Sequence, residues 1–418
     1  MAQLSDDSFA FGGPLMNIEQ ANALVGERVR PVAESETVAL AEADGRVLAE
    51  QVIAGLDLPP FANSAVDGYA VRFADLAAAG ESRLRLAGRI AAGSDAAGVA
   101  TEGVAVRVFT GAPMPDGADT VFMQEDVVAE DGFVRLPAGL RRGANARPAG
   151  EDIARGDMAF APGRRLRPQD LALLAGLGRT SVLVHRRPRV AIFSTGDELA
   201  EPGQPLPPAG IYDANRAALR AMVQRAGAEV VDLGILRDEP ESLAARLAEA
   251  ARSCDLVLTS GGVSTGEEDH VKAAVERAGS LVFWRIGIKP GRPVAMGVIA
   301  GVPFIGLPGN PVAVFVTFAF LVRAVIARLS GTEYKPPVPL PVRLAFPYRK
   351  KEGRREYVRV SLTPGGDGVF VASKHPQDGA GVMTSLTRTD GLVELAEDLT
   401  TIEAGFLAPF LAYDLLIG

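Results

Sequence analysis

From Pro188 onward the chain alternates two hydrophobic periods. RVAIFSTG (189–196) is a continuous apolar run that ends in a turn, as in a strand buried on both faces. NRAALRAMVQRAG (215–227) reads as an amphipathic helix closed by glycine, and AEVVDLGIL (228–236) as a second strand. PESLAARLAEAARS (240–253) predicts another helix and DLVLTSGG (255–262) a third strand. Strands alternating with helices predict a parallel, doubly wound sheet. Asn310-Pro311 opens a further long helix, with an N-cap residue followed by proline at the first helical position.

The flanking zones differ. Residues from about Leu15 to Leu56 read as helix-rich, with Ile18, Ala21 and Val25 at helical spacing. From Leu58 to about Leu140 come short β-prone runs broken by glycine, such as RLRLAGRIAAG and GVAVRVFTGA, which predict a small strand-rich module. The following segment returns to loop and helix, so the module is expected to be an insertion. The proline cluster KPPVPLP marks a boundary after Gly331, and PVRLAFPYR, REYVRVSLT, DGVFVAS and GLVELAED predict a small C-terminal β domain. The 418 residues exceed one ordinary core. The expected fold is multidomain α/β: a discontinuous helix-rich domain (15–56 and 146–187), an inserted β-rich domain (57–145), a doubly wound sheet domain (188–332) and a C-terminal β-barrel-like domain (333–418).

A net charge of −8 argues against a general nucleic-acid or anionic-membrane binder, so any anionic ligand must be caught by a local pocket. The single cysteine, Cys254, excludes an internal disulfide, and His185, His270 and His375 lack the spacing of a zinc site. The N-terminus shows no basic segment followed by an apolar one, and the apolar stretch from Pro311 to Val322 meets Arg323 before it is long enough to cross a bilayer. A cytoplasmic location is expected.

In α/β sheets, ligands sit beyond the carboxyl ends of the strands. Three sets of residues there carry candidate chemistry. STGDEL (194–199) places Asp197 and Glu198 directly after a strand, where they either form a solvated loop, cap a helix or meet a cation. SGGVSTGEEDH (260–270) offers Gly261, Gly262 and Gly266 for a tight turn whose N–H groups face an anion, with Ser260 and Ser264 adding hydroxyl donors. IKPGRP (288–293) and LPGNP (307–311) combine stiff proline turns with Lys289 and Arg292. Each loop alone also reads as ordinary turn chemistry. Lys289 is harder to dismiss, because the chain holds only six lysines, none before Lys272, and otherwise uses arginine for positive charge. A lysine kept beside an arginine suits a compact charge on an oxyanion. Micromolar capture of an anion requires about 8 kcal/mol, which three to five charge-assisted hydrogen bonds of roughly 1.5–3 kcal/mol supply. Lys289, Arg292, Ser264 and nearby backbone amides provide that number.

NSAVDGYA (63–70), TGAPMPDGAD (110–119), GEDI (150–153), STGDEL, IYDANR (211–216), SGGVSTGEEDH, IKPGRP and GLPGNPVA (306–313), in this order, resemble the MoeA family, which also contains the E domain of gephyrin. Any one motif is weak, but eight in register are specific, and the resemblance runs over nearly the whole chain. It implies a MogA-like sheet domain among four domains and an elongated homodimer with the active site between subunits. It implies the last step of molybdenum cofactor synthesis, in which adenylyl-molybdopterin and molybdate give the cofactor and AMP with Mg(2+) assisting. Transient contact with the molybdopterin adenylyltransferase and with enzymes that accept the cofactor is also implied. The residues it marks as functional are Asp67, Thr110, Asp152, Glu198, Asp238, Asp269 and Lys289. It also marks Arg285, Pro308, Pro311, Arg359 and Ser385, and the chemistry of the loops adds Ser260, Gly261, Gly262, Ser264, Lys289, Pro290 and Arg292 as expected contacts to substrate and molybdate and Asp197, Glu198 and Asp269 as expected magnesium ligands.

Departures from the family pattern are small: Val66 replaces methionine, Arg292 a lysine and His270 an aromatic residue. Among rivals, an adenylyltransferase of the same pathway would carry a GGTG-type loop where this chain has Gly261-Gly262-Val263-Ser264, and would lack the other domains. A pure scaffold would not need the charged loops. Tungstate remains an alternative oxyanion on the sequence alone.

Overall fold

The computed structural model describes residues 15–94, 102–236, 240–262, 270–284, 286–291 and 294–417. Contacts divide the chain into two units. The larger takes residues up to Thr37, Gly45–Ala49 and the chain from Leu183 onward, and the smaller takes Val38–Asp44 and Glu50–Val182.

In the larger unit a six-stranded sheet runs in the order Glu229–Leu236, Arg189–Thr195, Leu256–Ser260, Val302–Leu307, Val294–Ile299, Gly279–Trp284. Its first four strands are parallel. Successive side chains of Arg189–Thr195 point to opposite faces, so Val190 and Ile192 join one core and Ala191 and Phe193 another. Helix Ala214–Arg225 covers the first core with Leu219, Met222 and Val223, and helix Pro240–Ser253 the second with Leu243 and Leu247. The sheet is therefore doubly wound, as the alternating pattern predicts. Its far edge departs from an all-parallel sheet, because the last two strands are antiparallel to their neighbours. Ala300 and Gly301 turn there with φ of 49° and 90°, the backbone of a tight two-residue hairpin. Alanine is not a residue that announces such a turn.

Arg323 does not end the apolar helix. Helical turns continue from Pro311 to Leu329, with one wider turn at Phe318–Val322. The 19 residues are long and apolar enough to cross a membrane by length and composition, which corrects the estimate from sequence. The helix is instead mostly buried, sharing one core with Ile18, Ala21 and Val25 of helix Ile18–Arg28. Arg323 extends to the carbonyls of Leu415 and Leu416.

The expectation of a helix-rich segment over 15–56 is also corrected. Its one α-helix, Ile18–Arg28, is opened by an Asn17–Gln20 capping box and followed by Pro31 and β-branched residues that favour extended chain. Residues 146–187 hold one α-helix, Pro168–Gly176. The first helix buries its stripe on Pro311–Leu329, in the core it shares with the sheet.

At the C-terminus five strands close on themselves. Arg355–Thr363 pairs with Val371–Lys374, then come Leu340–Leu344, Leu407–Ala412 and Gly391–Leu395, which returns to Arg355–Thr363. This barrel has its own core around Val342, Val360, Val393 and Phe410. Ile288–Lys289 adds to it in parallel, with Lys289 opposite Glu356.

The smaller unit is built on another six-stranded sheet, in the order Thr120–Met123, Gly68–Val71, Val104–Val108, Ser82–Ile90, Phe133–Leu136, Val128–Glu130. Pairing is antiparallel except between Ser82–Ile90 and Val104–Val108.

Candidate active site

Strand order in the large sheet reverses at Arg189–Thr195: the next sheet strand in the chain, Glu229–Leu236, pairs on one side of it and the one after, Leu256–Ser260, on the other. The crevice of a doubly wound fold opens at such a point, beyond the carboxyl ends of Arg189–Thr195 and Leu256–Ser260. STGDEL and the Ser260-Gly261-Gly262 turn leave from these two ends.

The turn needs its glycines. Gly262 has φ of 65°, and a Cβ there would lie 2.5 Å from Thr195 Cγ2 and 2.6 Å from Val271 Cγ2. The Gly261 N–H donates to the Leu307 carbonyl at 3.1 Å, joining the turn to the strand that leads into Pro308. Asn215 clamps the same place from the first turn of helix Ala214–Arg225: its Nδ2 donates to Ser260 Oγ at 2.8 Å and to the Gly309 carbonyl at 2.7 Å. Asp213 accepts the Arg216 N–H at 3.1 Å and so fixes the start of the helix that carries Asn215. Arg216 also pairs with Asp213, Asp232 and Glu201, tying that helix to the segment after Glu198. The structure thus brings Ser260, Gly261, Gly262 and Pro308 together. The buried hydroxyls of Ser194, Thr195 and Thr259 at these strand ends make no hydrogen bond among the described residues. Buried hydroxyls without partners are costly, and they suit a ligand-facing crevice. Asp197 and Glu198 are exposed, and among the described residues neither carboxylate forms an ion pair, so no helix cap engages them.

A second group lies where the sheet domain meets the barrel. Lys289, Pro290 and Arg359 line a cleft of about 130 Å³ together with Tyr348, Glu356 and Asp378. Lys289 Nζ donates to Glu356 Oε2 at 2.9 Å. Arg359 is buried, and burial is the main influence pulling its pKa below the ordinary arginine value, although the guanidinium stays charged. One of its amino groups donates to the Gln377 carbonyl at 3.1 Å, while Nε makes no hydrogen bond among the described residues. Ser385 does not line the cleft. Its hydroxyl donates to the Val382 carbonyl at 2.6 Å and braces the loop that forms one wall. Pro311 starts its helix beside this loop, where the Val312 N–H donates to the Ala380 carbonyl at 3.0 Å.

In the smaller unit the structure joins Asp67 and Thr110. Asp67 Oδ1 accepts the Thr110 N–H at 2.8 Å and its hydroxyl at 2.9 Å. The backbone bond first and the hydroxyl second hold the Asp67 carboxyl below the usual carboxylate range. A depressed folded pKa means that the stabilisation is complete above the unfolded value of about 3.8 and fades as pH falls through the folded one. A carbon-13 titration of the Asp67 carboxyl is therefore expected to show a midpoint below 3.8 that returns towards it in Thr110→Val. Asp152 is exposed, and its carboxylate makes no hydrogen bond or ion pair among the described residues.

Asp238, Ser264, Asp269, Arg285 and Arg292 lie outside the described residues. Sequence reasoning missed Asn215, Tyr348 and Glu356 as individuals. Asn215 stands inside the IYDANR motif and Glu356 inside the REYVRV strand, but only the fold shows what each touches.

Comparison with known proteins agrees with this arrangement. Three family models match in series: the MoeA N-terminal region (domain I and II) over residues 16–178, a probable molybdopterin binding domain over 191–328 and the MoeA C-terminal region (domain IV) over 341–413. The chain is 36% identical over 406 residues to the molybdopterin molybdenumtransferase of Haemophilus influenzae, covering 97% of this chain and 100% of that one. It is 37% identical over 382 residues to that of a Nostoc species, covering 89% and 87%. A crystal structure of the molybdopterin biosynthesis MoeA protein from Pyrococcus horikoshii OT3 superposes with a TM-score of 0.81 at 30% identity, over 96% of this chain and all of that one. With three family models matched in series and relatives of this identity over nearly the whole chain, the chain belongs to the MoeA family of molybdopterin molybdenumtransferases.

Proposed function

We propose that this protein inserts molybdate into the dithiolene of adenylyl-molybdopterin and releases AMP, completing the molybdenum cofactor. The cleft that holds Lys289 and Arg359 carries the reading: beside Glu356 and Asp378 it keeps an ammonium with N–H donors beyond its bond to Glu356 and a guanidinium whose Nε makes no hydrogen bond among the described residues. The ammonium of Lys289 and the guanidinium of Arg359 hold the dianion, and the Ser260 hydroxyl and the Gly262 N–H face the phosphates. Rate enhancement then comes from positioning and charge neutralisation, without a covalent enzyme intermediate.

Magnesium fits the exposed, unpaired carboxylates of Asp197 and Glu198, since it binds through one or two carboxylates plus substrate phosphates. Held by these carboxylates, it would supply charge neutralisation on the phosphoanhydride, with Asp269 the further ligand expected from the sequence. Asp67, Thr110 and Asp152 complete the site from the second subunit of a homodimer. The enzyme works in the cytoplasm, in transient contact with the adenylyltransferase that makes its substrate and with the enzymes that take up the cofactor.

The test is AMP release from adenylyl-molybdopterin by purified protein. Release is expected to depend on both molybdate and magnesium and to yield active cofactor. Tight binding of the adenylylated pterin without release would refute the insertase and leave a carrier.

A further inference from the structure

We propose that Glu356 is a positioning residue that fixes the ammonium group of Lys289 at the oxyanion cleft, an inference that rests on the insertase reading of that cleft. Lys289 has a side chain 51% exposed, on a flexible stem that would otherwise sample many rotamers. Glu356 has the opposite character: its side chain is 2% exposed on the barrel strand Arg355–Thr363. The two residues stand opposite each other in the parallel pairing of Ile288–Lys289 with Arg355–Glu356, so backbone hydrogen bonding sets their separation. Oε2 takes the Lys289 ammonium at 2.9 Å and the Tyr348 hydroxyl at 3.0 Å. Burial, followed by the Glu356 charge, pushes the Tyr348 hydroxyl well above its ordinary pKa, so it stays a donor.

The other oxygen, Oε1, is buried and makes no hydrogen bond among the described residues, where the nearest cation on that side, Arg354, is 4.0 Å away. A buried carboxylate with one oxygen unsatisfied is a poor device for stability, because an apolar side chain of that size often does better. Its place in the fold follows instead from what it holds. An ammonium has three N–H donors. Glu356 takes one and orients the others, and the same strand brings Arg359 to the cleft three residues later. The carboxylate also repels an incoming dianion, so the sign of its effect on oxyanion binding separates positioning from repulsion.

The experiment uses full-length protein and follows molybdate in two ways, calorimetric binding and saturation of AMP release. Glu356→Gln keeps shape and removes the charge-assisted bond. It is expected to weaken molybdate binding about tenfold, or ~1.4 kcal/mol. Maximal turnover at saturating molybdate should fall as well, while half-saturation by adenylyl-molybdopterin should stay unchanged. Glu356→Asp should recover part of the loss. Tyr348→Phe, which frees the carboxylate without removing it, should weaken molybdate binding about two- to threefold. Folded Glu356→Gln protein that binds molybdate as tightly as wild type, or more tightly, overturns the proposal. If that variant does not fold, unchanged molybdate binding in Tyr348→Phe overturns it. Wild-type protein that binds molybdate yet never releases AMP sinks the insertase reading alone.

Discussion

Lys289→Ala is expected to lower molybdate-dependent AMP release by about a thousandfold with the fold intact. The ammonium can give the oxyanion two charge-assisted hydrogen bonds beyond the one to Glu356, and at roughly 1.5–3 kcal/mol each their loss amounts to about 4 kcal/mol of barrier. Stability should suffer much less. Removing one partner of a fully buried pair costs about 3–5 kcal/mol, but Lys289 is half exposed, so water reaches the site and the penalty falls to about 1 kcal/mol. A melting curve close to wild type, measured beside the AMP assay, separates the two effects. Lys289→Arg is informative as well, because it keeps the charge and changes the donor geometry, so recovery should be partial. Turnover of Lys289→Ala at the wild-type rate would remove Lys289 from the chemistry.

Gly68→Ala should be the most damaging single methyl group in the smaller unit. Gly68 begins a strand hydrogen-bonded on both sides, to Val104–Val108 and to Thr120–Met123. A Cβ there would sit 1.9 Å from the Phe122 carbonyl oxygen, 2.9 Å from its carbon and 3.1 Å from Val121 Cγ1. The first two obstacles are backbone atoms of a paired strand, so no rotamer change relieves them. The strands must part and ladder hydrogen bonds must lengthen, at a cost of about 3 kcal/mol or more. Asp67 is the preceding residue, so its contact with Thr110 moves with the strand and activity should fall too. Urea unfolding of the variant reads the loss directly, and a wild-type midpoint would refute the close-approach argument.

Much of this was legible in the sequence because of how each signal is encoded. The parallel strands announced themselves through runs such as RVAIFSTG, since burial on both faces needs apolar residues throughout. The Gly261-Gly262 turn was visible because its backbone conformation excludes other residues. The antiparallel edge was not, because its turn uses Ala300 in a conformation alanine seldom adopts. The extent of Pro311–Leu329 was misjudged at Arg323, whose charge reads as surface until the carbonyls of the C-terminal residues are seen around it. Candidate residues within motifs were found, yet their grouping was not. Lys289 and Glu356 are 67 positions apart, and only strand pairing makes them neighbours.

The docking of helix Ile18–Arg28 on helix Pro311–Leu329 has a consequence for how the protein is made. Arg328 Nε donates to the Val29 carbonyl across 299 positions of sequence. At ribosomal speeds of about 5–20 residues per second, roughly 15–60 s separate the emergence of the two helices. Throughout that interval the first helix lacks the partner helix on which it buries Ile18, Ala21 and Val25. The smaller unit, encoded between them, can fold meanwhile, but the core of the larger one closes only when synthesis is nearly finished. The nascent chain therefore carries an unsatisfied apolar stripe for most of its time on the ribosome, and that stripe is the natural place for a chaperone to hold it.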